Sequence, residues 1–195
     1  MEAHVRIPLG RLAAVGALAL VGFAAPAAAQ TAPPPLAVPN PTYVSLPMEI
    51  AVNRPAADVW KRIGKYCDIG EWLRLPCTIT SGKDGEFGAV RSVANEILVG
   101  KTELSYTYTQ PVREGRPFDA YHGTLEARPV TATTSKIVYT LFFDNSMLAD
   151  DAARERNLAS RKTTFTQALE NMKILAEGGT LPPAPPRPAT PGGHD

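Results

Sequence analysis

The sequence predicts an α+β domain in which a curved antiparallel sheet wraps around one long C-terminal helix, with two short helices after the first strand. Three observations carry that reading. Apolar and polar residues alternate through KTELSYTYTQ, YHGTLEARP and SKIVYTLFF, the period of half-buried antiparallel strands. The stretch from Ala149 to Glu177 holds neither proline nor glycine and sets Leu158, Phe165, Leu169, Met172 and Ala176 on one helical stripe. Ahead of the strands stands NRPAADVWKRIGKYC, a short helical pattern that follows a strand-like run. A single sheet of that length with one apolar face has to curl around something, and the long helix is what it can grip.

Taken in order, Thr42 to Val52 is β-branched and aromatic, with Val44, Leu46, Met48 and Ile50 alternating, and reads as the first strand. Asn53 then stands as a cap residue before Pro55, and Val59, Trp60, Ile63 and Tyr66 recur at helical spacing. A further turn or two of helix is expected around Asp68 to Leu73. Thr78 to Ser81 and Ala89 to Ala94 read as two short strands joined by the DGEFG turn. The next strand puts Leu104, Tyr106 and Tyr108 on one face. Another aligns Tyr121, Gly123, Leu125 and Ala127, with His122, Thr124, Glu126 and Arg128 opposite. The last turns Ile137, Tyr139, Leu141 and Phe143 inward. The long helix stops at Gly178-Gly179.

The ends of the chain speak for location. Arg6 and Arg11, the apolar run from Leu12 to Phe23 and the small residues before Gln30 form a signal-peptide pattern, with cleavage expected after Ala29. The alternative is an uncleaved anchor, although the apolar run is shorter than the roughly twenty residues that span a bilayer. No cysteine follows that run, which argues against a lipoprotein. The expected organisation is a signal peptide over 1–29, a proline-rich linker over 30–41, one domain over 42–177 and a proline-rich tail over 178–195. The protein is thus expected to be periplasmic or secreted, with no integral membrane segment after cleavage. Losing Arg6, Arg11 and Glu2 from 20 basic and 19 acidic residues leaves a formally neutral chain. Neutrality argues against nucleic acid or an anionic membrane as the main partner.

Cys67 and Cys77 are the only cysteines, ten positions apart. In an oxidising compartment such a pair is most simply a disulfide. Zinc would want four ligands, whereas the domain has His122 as its one histidine, and a redox pair would want closer spacing. No cofactor is expected and no catalytic residue is assigned. His122 alternates with polar neighbours and belongs on the solvent face. The domain shows no nucleophile elbow, phosphate-cradling glycine loop, metal-ligand cluster or inward pair of carboxylates. Alternation does not decide which side Arg91 faces in AVRSV. Glu103 reads as solvated, and Arg161, between Leu158 and Phe165, is set either into a pocket or at its rim.

The ordered set NRPAADVWKRIGKYCDIGEWL, GAVRSV and ARPV followed by SKIVYTLFF, closed by the terminal helix, resembles the START-like SRPBCC superfamily, the polyketide cyclase/dehydrase and lipid-transport group with the helix-grip fold. The resemblance covers about residues 43–177. It implies a cavity between sheet and helix that takes hydrophobic ligands, and places Trp72 near the cavity mouth, where the disulfide would pin it. It also implies that Arg91 can reach the cavity, where a buried guanidinium needs a carboxylate or an anionic ligand. On this reading a small hydrophobic or amphipathic molecule is the partner. Trp60, Trp72, Arg91, Tyr106, Tyr108, Tyr121, Tyr139, Phe143 and Phe165 line its site. Two alternatives stand beside it: a cyclase or dehydratase-like enzyme in which Tyr121 or Arg91 polarises a carbonyl, and a non-ligand interaction module that uses the tail.

Overall fold

The computed structural model describes residues 40–183 apart from Glu114 and Pro117. The expected signal peptide, linker residues 30–39 and tail residues 184–195 lie outside the described residues. Ten elements follow one another: β1 (Tyr43–Val52), α1 (Ala56–Ile63), α2 (Ile69–Trp72), β2 (Ile79–Ser81), β3 (Val90–Arg91), β4 (Glu96–Lys101), β5 (Ser105–Thr109), β6 (Asp119–Pro129), β7 (Ser135–Asp144) and α3 (Asp151–Ala176). The seven strands form one antiparallel sheet in the order β1-β7-β6-β5-β4-β3-β2. Strand β1 is an edge strand, which is why Pro47, with no N–H for a ladder, is tolerated there.

The inward residues of the last two strands are those the alternation selects. Leu125, Ile137, Tyr139, Leu141 and Phe143 are fully buried, in register across β6 and β7. They meet Phe165, Ala168, Leu169 and Met172 of α3 in one core. Helix α3 opens on Asp150, whose Oδ1 accepts from the Ala153 N–H at 2.7 Å. It closes with Gly178 at φ 87° and with the Gly179 N–H bonded to the Ile174 carbonyl at 2.8 Å, a Schellman-type end. Its buried residues begin only at Phe165. The first half touches the domain through the half-buried Asn157, Leu158 and Arg161.

Two local expectations are corrected. Asn53 does not cap α1: Pro55 holds the N-cap position, and the Asn53 N–H donates to Glu177 Oε1 at 2.9 Å, tying the end of β1 to the end of α3. The strand expected over Ala89 to Ala94 is two residues long. It turns through Ala94 and Asn95, both at positive φ (51° and 55°), and returns as β4. The Glu96 N–H bonds the Val93 carbonyl at 3.0 Å, closing a tight turn over Ala94 and Asn95 inside the four-residue loop between register partners Arg91 and Glu96. Among the described residues no helix is long and apolar enough to cross a membrane.

Candidate functional site

The inward face of the sheet is unusual in carrying phenols where a core of this size would be aliphatic. Tyr106, Tyr108, Tyr121 and Tyr139 are each at most 4% exposed. Their rings form a continuous row, with centroids 6.5 Å apart from Tyr106 to Tyr108 and 6.3 Å from Tyr108 to Tyr121; Phe143 lies 5.9 Å beyond. Gly123 makes this row possible, because a Cβ there would lie 2.4 Å from the Tyr108 ring. The Tyr108 and Tyr139 hydroxyls are hydrogen-bonded at 2.8 Å, as buried phenols require. Burial drives the phenol pKa values up, to about 12 for Tyr121 and well above the ordinary value for Tyr108 and Tyr139. These groups are therefore hydrogen-bonding neutral phenols across the physiological range.

Arg91, left undecided by its alternation, points inward and is fully buried. Its Nε donates to Glu96 Oε2 at 2.7 Å and its Nη1 to the Tyr66 carbonyl at 2.6 Å; Nη2 lies 2.6 Å from the same Glu96 oxygen without a well-directed hydrogen bond. The guanidinium carbon stands 4.3 Å from the Tyr66 ring centroid and 4.6 Å from that of Tyr108. Burial opposes its charge, and Tyr106, Glu96 and Tyr108 more than offset that, so its pKa lies above the ordinary arginine value. Burial pushes the Glu96 carboxyl up, while Arg91 and a 2.8 Å hydrogen bond from Gln110 pull the other way. Arg116 extends the chain by donating to Gln110. The carboxylate that Arg91 needs is thus supplied from inside the domain.

The nine residues assigned to the site fall in or against this core. Trp72 is fully buried: its ring meets Tyr139 edge-on at 6.0 Å and its carbonyl accepts from Asn171 Nδ2 at 2.9 Å. Phe165 packs on Tyr139 at 4.7 Å, so rings occupy the space between sheet and helix. Trp60 alone is half-exposed, tilted against Tyr106 at 5.7 Å. Beside it opens a cleft of about 380 Å³ walled by Tyr66, Leu98 and Tyr106, with Lys65, Lys101 and Ser105 around it. That volume lies within the range of small-molecule sites. Tyr66 is 2% exposed, yet its hydroxyl has no hydrogen-bond partner among the described residues. Tyr66 and Leu98 were not singled out from the sequence. Tyr66 has the helical spacing of a core residue, and Leu98 lies on β4, which no glycine turn announces in the sequence.

Cys67 and Cys77 are disulfide-bonded, with Cα atoms 5.5 Å apart. The bridge closes a loop that contains α2, where Ile69 and Trp72 are buried, so it clamps the segment that supplies Trp72. His122 is half-buried, its Nδ1 2.8 Å from the Ala120 carbonyl, and Arg161 enters the aromatic end of the row beside Phe143. Among the described residues no group of acidic, histidine and cysteine side chains could hold a metal ion.

No family model matches the chain, and no curated protein matches it. Solved structures do. A protein from Thermobifida fusca is 25% identical over 69% of this chain and 95% of its own, with a TM-score of 0.58. ZhuI aromatase/cyclase from Streptomyces sp. R1128 is 16% identical over 71% of this chain and 100% of its own, with a TM-score of 0.55. The di-domain ARO/CYC BexL of the BE-7585A biosynthetic pathway is 16% identical over 69% of this chain and 46% of its own, with a TM-score of 0.53. Those identities carry fold and not chemistry. With its seven-stranded antiparallel sheet closed on the long helix α3, the chain has the helix-grip α+β fold.

Proposed function

We propose that the protein is an extracytoplasmic binding module that holds a small amphipathic molecule at the cleft between Trp60, Tyr66, Leu98 and Tyr106. The organisation that goes with this reading is a cleaved segment 1–29, a linker 30–41, the binding domain 42–177 and a tail 178–195. The observation that carries it is the Tyr66 hydroxyl. A buried phenol without a partner costs free energy that a domain built only for stability would avoid by using Phe, and here the residue that bears it lines a cleft. The Trp60 and Tyr106 rings supply an apolar surface, while Lys65, Lys101 and Ser105 offer polar contacts at its edge. Burying about 200 Å² of ligand apolar area there would contribute roughly 5 kcal/mol before ordering costs.

The disulfide supports the compartment, since such bonds persist in oxidising surroundings. Arg91 as a carbonyl-polarising group finds less support: it is sealed from solvent, with its N–H groups turned to Glu96 and Tyr66. The test is titration with the neutral fluorophore N-phenyl-1-naphthylamine. Saturable binding of one equivalent is expected, weakened by Ser105→Phe, which narrows the cleft from its rim, and by Tyr66→Phe. Binding that neither substitution touches, or none at all, overturns the assignment of the cleft.

A further inference from the structure

We infer that Arg161, together with Arg116, forms a recognition site for an organic carboxylate at the Phe118 end of the tyrosine row. Arg161 enters from the half of α3 that contributes no fully buried residue. Its guanidinium carbon lies 4.5 Å from the Phe118 centroid, 4.5 Å from Phe143 and 5.1 Å from Tyr121. Those three rings surround the guanidinium with apolar and π surface, so that its N–H groups are its means of polar bonding. Of these, Nε donates to Asn157 Oδ1 at 2.9 Å, and the Tyr121 hydroxyl is the other polar group turned toward them.

What distinguishes Arg161 is that it is half-buried against three aromatic rings without a counter-charge among the described residues. Arg62, Arg91, Arg128 and Arg154 each pair with a carboxylate, whereas among the described residues none pairs with Arg161. Its charged neighbour is another cation, Arg116, whose guanidinium also lies over the Phe118 ring at 5.2 Å. Burial accordingly lowers the pKa of Arg161, the opposite of the outcome for the paired Arg91. Two guanidiniums set on one ring, Phe118, with only Arg116 Nη1 already given to Gln110 and Arg161 Nε to Asn157, leave N–H groups that a carboxylate can satisfy. The half-buried Phe118 beside them favours a carboxylate borne on a flat apolar body over a bare ion. None of Arg116, Phe118, Tyr121 and Arg161 lines the Trp60 cleft, so the site stands whether or not that cleft binds anything.

The experiment compares 1-naphthoate with its neutral isostere 1-naphthamide by calorimetry on the wild-type protein, Arg161→Met and Ser105→Phe. Naphthoate is expected to bind about ten- to a hundredfold more tightly than the amide. Arg161→Met should abolish that preference, and Ser105→Phe should leave it. The melting temperature of Arg161→Met is expected to stay level or rise, since the substitution removes an uncompensated charge. Equal affinity for acid and amide, a preference that survives Arg161→Met, or no binding up to about 10 mM would each overturn the proposal. So would a fall in melting temperature with the preference intact, because the guanidinium would then be a structural group. Displacement of naphthoate by inorganic phosphate at equal concentration would replace the carboxylate assignment with a phosphate one.

Discussion

Arg91 and Glu96 are register partners across the β3–β4 hairpin, joined Nε to Oε2 at 2.7 Å, with neither side chain more than 4% exposed. An isolated charge at that depth costs more than the pair contributes, so the two are stable together and expensive apart. Arg91→Met alone leaves the buried Glu96 without its paired cation and is expected to cost about 3–5 kcal/mol. Arg91→Met with Glu96→Leu should recover most of that loss. Urea denaturation of the two variants decides it, and a double variant as unstable as the single one would show that the pair is not an energetic unit.

Tyr66 and Tyr139 contrast a buried phenol with no partner among the described residues with a paired one. Tyr139→Phe removes the partner of the Tyr108 hydroxyl and leaves a buried donor unmatched, an expected loss of about 1–2 kcal/mol. Tyr66→Phe deletes a hydroxyl that bonds to none of the described residues and should leave stability level or raise it slightly. Thermal denaturation of both variants measures the difference. A loss for Tyr66→Phe as large as that for Tyr139→Phe would mean that its hydroxyl is satisfied within the fold.

The pattern of what could be read from the sequence follows from which contacts are local. Ile137, Tyr139, Leu141 and Phe143 have period two on a strand buried by a helix, and they sit where the alternation puts them. Strand β4 was missed because its hairpin turn is Ala94-Asn95, which lacks the glycine that normally announces two residues at positive φ. That miss concealed the partner of Arg91, since Glu96 is the first residue after the turn. The packing of the tyrosines against each other was not legible either, because it depends on Gly123 leaving room for a ring that comes from another strand. The cysteine pairing was legible, as two cysteines allow one bridge.

Reducing the Cys67–Cys77 bond frees an eleven-residue loop, for which chain entropy gives a loss of about 2–3 kcal/mol. The loss should be visible first at Trp72, whose ring is held on Tyr139 from inside that loop. Cys67→Ser with Cys77→Ser is therefore expected to lower the urea midpoint and to weaken the near-ultraviolet circular dichroism of the buried indole. A midpoint unchanged by the double substitution would assign the clamp to α2 packing alone.

The carboxylates should give stability two opposing dependences on pH. Glu71 bonds Arg62 through both oxygens, and Glu177 accepts from the Asn53 N–H and from Lys173; these hydrogen bonds hold both pKa values below the ordinary 4.5. For a lowered pKa the unfolded chain takes up the proton first, so the stabilisation is present above pH 4.5 and is lost as pH falls through the folded-state value. Both sites are solvated, so screening limits each to at most about 1 kcal/mol. Glu96 runs the other way: burial raises its pKa, so just above pH 4.5 the folded protein keeps a proton that the unfolded chain has released. Stability from this group falls as pH rises through that interval and levels off above the folded-state value. Glu177→Gln should therefore flatten the acid limb of a stability–pH profile, and Glu96→Gln should reduce the decline just above it, to which Asp68, also raised by burial, adds a share. A decline undiminished in Glu96→Gln would assign it to other groups.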